Sequence, residues 1–109
     1  MNGTVIHRKL VRDLIPDIVT AKGGTAVTRV MEPDEYRAAL HTKLAEEAEE
    51  LLAAAPGEKL GELADLLEVL QALATVAGHT LDEVIGAAAA KSAKRGGFGG
   101  RIWLEETQD

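Results

Sequence analysis

Apolar residues recur along most of this chain at intervals of three and four, the period of a helix with one buried face. Pro33 and Asp34 open the first long helix, expected over residues 33–54, and Tyr36, Leu40, Leu44 and Leu51 fall on one stripe of it. Ala53 to Pro56 and Gly57 then make a turn. A second long helix is expected over 58–77, with Leu66, Val69, Leu73 and Val76 as its main stripe. Leu60, Leu63, Leu67 and Leu70 spread leucine over nearly every other face of that helix. A helix that is apolar all round has to be covered all round, and a chain of 109 residues offers few elements to do it. The pattern therefore predicts a homo-oligomer, most simply a twofold dimer.

After a break at Gly78 and His79, Thr80 with Glu83 three residues later spells a capping box for a further helix over 80–94. Its small-residue run from Gly86 to Ala90 suits close packing. Nearer the start, Asp13 is placed to cap a short amphipathic helix carrying Leu14, Ile15, Ile18 and Val19, with Pro16 in its first turn and Gly23 and Gly24 as its stop. Residues 1–8 are expected to be irregular or a short strand. The β-branched run TAVTRVM (25–31) alternates as a strand, and its one later partner is RIWLEE (101–106), so these two segments are expected to pair. The fold class that results is mainly α, a helical bundle with a short two-stranded β element, in one domain.

Acids interrupt the two long helices where leucine is due. Glu47 sits within the first stripe and Glu50 one turn on, while extending the second stripe towards its N-terminus meets Glu62 and Asp65. Each helix thus offers an i, i+3 acidic pair inward, with side-chain origins about 4.5 Å apart along the axis, close enough for one ion. Ionised carboxylates facing an apolar interior cost several kcal/mol each unless paired or bound to a cation. Oxygen ligands with no cysteine and no paired histidine favour Mg²⁺, or Mn²⁺, over Zn²⁺. Glu-rich helices are also commonly solvated faces, and Glu46, Glu49, Glu58 and Glu68 include residues of that kind. Two inward pairs on consecutive helices favour the metal.

Composition narrows the function. Three aromatic residues leave the core to Leu, Val, Ile and Ala, and the lack of cysteine excludes disulfides and thiolate ligands and fits a reducing cytoplasm. With no apolar run of membrane-spanning length and no signal-peptide core in MNGTVIHRKLVRD, a soluble cytoplasmic protein is expected, without a membrane partner. A net charge of −6 argues against binding a nucleic-acid polymer. The cations nevertheless cluster, Lys9 and Arg12 near the start and Lys91, Lys94, Arg95 and Arg101 near the end. Such flanks suit a metal-bound polyphosphate, and they equally suit internal salt bridges. Lys91 and Arg95 lie four apart at a helix C-terminus, where the dipole alone also favours them. In the following RGGFGG, glycines without side chains let backbone amides approach phosphate, and Gly96 also serves simply to end the helix. No GxSxG, HExxH or GxxxxGK[ST] motif is present, and His7, His41 and His79 are scattered.

Glu46, Glu47 and Glu50 spell EExxE, and Glu62 with Asp65 spells ExxD after eleven intervening residues. This resembles the signature of the MazG-like, all-α nucleoside triphosphate pyrophosphohydrolases. KLVRDLIP (9–16) and KSAKRGGF (91–98) look like a compact subgroup labelled phosphoribosyl-ATP pyrophosphohydrolase-like, so the resemblance extends over almost the whole chain. It implies a single MazG-like domain in which Glu47, Glu50, Glu62 and Asp65 bind Mg²⁺ and hydrolysis falls between the α and β phosphates of a nucleotide, as nucleotide-pool house-cleaning. One of the same acids, or Glu46, is then expected to position the attacking water. Lys9, Arg12, Lys91 and Arg95 are expected on the phosphates, with Gly96, Gly97 and Phe98 closing over phosphate or base. The enzymes that act on phosphoribosyl-ATP itself carry Tyr-His after the ADLL segment, where this chain has Glu68 and Val69. That substrate and a non-catalytic helical dimerisation module stand as the alternatives.

Overall fold

The computed structural model describes residues 3–108, and their regular structure is helical: α1 (Ile15–Ala21), α2 (Pro33–Ala53), α3 (Lys59–Val76) and α4 (Leu81–Arg95), with a 3₁₀ turn at Pro56–Glu58. The short connection after α2 turns the chain straight back, and α2 and α3 form an antiparallel hairpin that holds the main packing of the molecule. Its core is small. Leu40 from α2 and Val69 and Ala74 from α3 are its buried apolar side chains, and the other expected stripe residues, Tyr36, Leu44, Leu51, Leu66, Leu73 and Val76, are half-buried. α4 packs against α3 alone among the helices.

Helix ends follow local chemistry. Gly78, at φ +86°, adopts the left-handed conformation after α3, where the amides of Gly78 and His79 donate to the carbonyls of Thr75 and Ala74. Thr80 and Glu83 form the expected reciprocal capping box at the start of α4. The Lys59 ammonium donates to the carbonyls of Leu51 and Leu52, so the first residue of α3 satisfies the open C-terminal end of α2. At α1 the structure corrects the expected start. The helix begins at Ile15 with Leu14 as its cap, because a turn closed by the Ile15 amide on the Arg12 carbonyl takes up Asp13 before the helix begins.

The expected two-stranded element is not formed within the chain: among the described residues there is no strand. Val27, Val30 and Ile102 stand almost fully in solvent, so neither segment has a surface to cover, and an isolated two-stranded ribbon is marginal in water. The 25–31 run is instead tied to α2 through a two-pronged Arg29–Glu35 pair at 2.7 and 2.6 Å. Arg29 holds the Glu35 carboxyl below its usual range, first through this hydrogen bond. The chain is correspondingly extended, with a radius of gyration of 18.8 Å and dimensions of 67 × 34 × 24 Å. A compact globule of this length has a radius of about 13 Å.

Candidate metal centre

Helical phase alone carries Glu47 into the α2–α3 seam. At 6% exposure it is, among the described residues, the one charged residue buried with the core. From α3, Glu62 and Asp65 approach it on the face that continues to Val69. One carboxylate oxygen from each of Glu47, Glu62 and Asp65 lies within 4.8 Å of the others. An octahedral Mg²⁺ with bonds of about 2.1 Å spaces its oxygens about 3 to 4.2 Å apart, so these three need to close by only a small amount.

The existing partners of this cluster are incomplete. Lys43, one turn before Glu47, reaches it at 3.5 Å, and Arg12 donates to Asp65 at 2.7 Å. Oε2 of Glu47 and Oε2 of Glu62 are buried with no hydrogen-bond partner. Buried carboxylate oxygens without a partner are what a hard divalent cation satisfies, and the residues fit Mg²⁺ on donor chemistry and spacing. Burial pushes the Glu47 carboxyl above its usual range, and the negative charge of Glu50 adds to this while Lys43 opposes it.

Not every expected site residue converges. Glu50 is exposed and outside the three-oxygen cluster, near enough for Glu47 to feel its charge, and Glu46 faces solvent. Of the basic residues expected on the phosphates, Arg12 is joined to the acids, while Lys9, Lys91 and Arg95 are exposed. Gly96 takes φ +83° and ends α4, and Gly97 and Phe98 line an open hollow of about 350 Å³ with Arg101, Ile102 and Trp103. Lys43 is a contact that the apolar pattern does not mark. Its i, i+4 spacing to Glu47 was the available signal.

No protein-family model matches this chain, and no solved structure matches it. A stretch of 46 residues, 42% of the chain, is 54% identical to a protein of Mycolicibacterium smegmatis described as uncharacterized. The matched stretch covers 47% of that relative, so the similarity spans about half of its length.

Proposed function

We propose that this chain is a Mg²⁺-dependent nucleoside triphosphate pyrophosphohydrolase of the MazG-like kind, acting as a homo-oligomer on surplus or non-canonical nucleotides in the cytoplasm. The observation that carries the proposal is the meeting of Glu47, Glu62 and Asp65 within 4.8 Å, with two of their oxygens buried and unpaired. Those three residues would hold the ion, with Glu50 one turn away as a further ligand once the exposed side chain swings inward. Bound there, Mg²⁺ or Mn²⁺ supplies charge neutralisation on the phosphates and a more acidic water. Cleavage joins the oxygen of a water to one phosphorus and breaks the bridging bond to the next, giving a monophosphate and pyrophosphate. Glu46 or Glu50, both exposed on α2, would accept a hydrogen bond from that water. Lys9, Arg12, Lys91 and Arg95 supply donors for phosphate charge that the ion leaves uncovered.

Homo-oligomerisation is supported by the exposed stripe of Leu60, Leu63, Leu67 and Leu70 on α3. Its three–four–three spacing is that of a helix-pairing seam. The short β element would then arise between copies, with 25–31 of one chain beside 101–106 of another. No helix is long and apolar enough to cross a membrane. The direct test is pyrophosphate release from a panel of canonical and damaged nucleoside triphosphates and phosphoribosyl-ATP, with Mg²⁺ and with chelator. Mg²⁺-dependent release of monophosphate and pyrophosphate in equal amounts is expected. Turnover of phosphoribosyl-ATP alone would move the assignment to that substrate, and an oligomer with no release from any compound would leave the dimerisation module.

A further inference from the structure

We infer that Arg12 is an exchangeable counter-cation of the acidic cluster: it holds Asp65 until a divalent ion takes that carboxylate, and is then free to meet phosphate. The inference rests on the metal reading above and adds a role for one residue of this chain.

The two cations already at the cluster are held differently. Lys43 lies on α2 itself, one turn from Glu47, with a side chain only 23% exposed. Arg12 comes from the irregular segment before α1, across 53 residues of sequence, and its side chain is 56% exposed. Among the described residues, the Arg12–Asp65 bond at 2.7 Å is the side-chain hydrogen bond that joins residues 3–24 to the hairpin, and α1 has no packing against another helix. It is therefore the polar latch of that segment, beside the half-buried Leu10 and Val11.

Charge decides its direction. Glu47, Glu62, Asp65 and the neighbouring Glu50 carry four negative charges when ionised, against two positive charges from Lys43 and Arg12. A divalent ion among them cancels that excess and places like charge beside the guanidinium, which among the described residues is held by Asp65. An exposed pair of this kind is weak and readily given up. The released guanidinium stands next to the ion, where a bound polyphosphate brings its negative charge, and its planar fork suits two phosphate oxygens at once.

The experiment uses Mn²⁺ as the probe, with binding read by electron paramagnetic resonance, for wild type, Arg12→Gln and Arg12→Lys, together with amide hydrogen exchange of residues 10–21 in the wild type. Loss of the competing cation should tighten Mn²⁺ binding in Arg12→Gln by up to about fivefold. The same variant should bind inorganic pyrophosphate more weakly in the presence of Mn²⁺, with Arg12→Lys between it and wild type. In wild type, Mn²⁺ alone should speed exchange of residues 10–21, and added pyrophosphate should slow it again. Mn²⁺ affinity in Arg12→Gln equal to or weaker than wild type overturns the exchange, as does a segment 10–21 whose exchange ignores Mn²⁺. Wild-type protein that binds no Mn²⁺ at all overturns the metal reading as well, so the two failures are distinct.

Discussion

Glu47→Gln should make the metal-free protein more stable while abolishing its response to Mg²⁺. Glu47 is 6% exposed, has one oxygen without a partner, and holds its carboxyl above the usual range chiefly because burial disfavours its charge. A buried unsatisfied polar group costs about 1–3 kcal/mol, and Gln keeps the shape while removing the charge. Against this gain, Lys43 loses an i, i+4 partner worth about 0.3–0.5 kcal/mol, and the new amide still has hydrogen-bonding groups to satisfy. A net gain of about 1 kcal/mol remains, or about 4–8 °C in melting temperature. In the folded state Glu47 keeps its proton to higher pH than in the unfolded chain, so its contribution to stability falls as pH rises from about 4.3 through the raised value. The advantage of Glu47→Gln should therefore be near zero around pH 4 and complete at neutral pH. Mg²⁺ reverses the order: at ten times its dissociation constant it adds about 1.4 kcal/mol to wild type and nothing to the variant. Thermal melts at one protein concentration, in chelator and in Mg²⁺ across pH 4–8, measure every part of this. A Glu47→Gln protein less stable than wild type in chelator at neutral pH, or one that Mg²⁺ still stabilises, would refute the reasoning. Glu49→Gln, on the exposed face of α2, is the matched control and should change neither quantity.

Light scattering at micromolar concentration should give at least twice the chain mass of 11.5 kDa, and a clean monomer would remove the proposed assembly. Trp103, 83% exposed in the single chain, should show blue-shifted emission at concentrations where the protein self-associates, and a solvent-like spectrum at all concentrations would exclude the C-terminal segment from that contact. Arg95→Lys separates two roles: wild-type turnover number and Michaelis constant would end the phosphate assignment, whereas a raised Michaelis constant at unchanged melting temperature supports it. Lys59→Met should lower stability by about 1 kcal/mol, read from denaturant melts, because the last carbonyls of α2 lose their donor.

The long helices and the acidic cluster were legible because both are written in helical phase. Every apolar residue placed on a stripe, from Tyr36 and Leu40 to Leu73 and Val76, is buried or half-buried, and the same phase placed Glu47, Glu62 and Asp65 together. Glu50 escaped because i, i+3 is 300° rather than a full turn, so the second acid of a pair lands at the edge of a stripe. In α3 that edge still faces α2, as Asp65 does, and in α2 it leaves Glu50 exposed though still beside Glu47. The Arg12–Asp65 contact has no period at all. It joins residues 53 apart through an irregular segment, and the sequence indicated only that cations cluster near the start. The start of α1 was misplaced for a related reason, since Asp13 suits either a cap or a turn and the backbone bond from Ile15 to Arg12 decides between them.

The two segments with strand patterns and the leucine stripe of α3 share one difficulty, which surface area makes quantitative. The chain exposes 9716 Å², whereas a folded monomer of 11.5 kDa exposes about 5,800 Å². A standard interface covers about 800 Å² on each partner, well short of the difference of about 3,900 Å². The proposed assembly would cover it if α3 pairs along its length and the extended ends are also enclosed. Such an assembly bears directly on the acidic cluster. Glu62 precedes Leu63 and Asp65 lies between Leu63 and Leu67, so the ligand face and the uncovered apolar face belong to the same turns of α3. The proposed pairing along Leu60, Leu63, Leu67 and Leu70 would therefore hold those turns rigid from the opposite side. Leu63→Glu should disrupt the oligomer and, because Glu62 and Asp65 then lose their backing, weaken Mn²⁺ binding as well. A monomeric Leu63→Glu protein with full Mn²⁺ affinity would show that the hairpin alone organises the site.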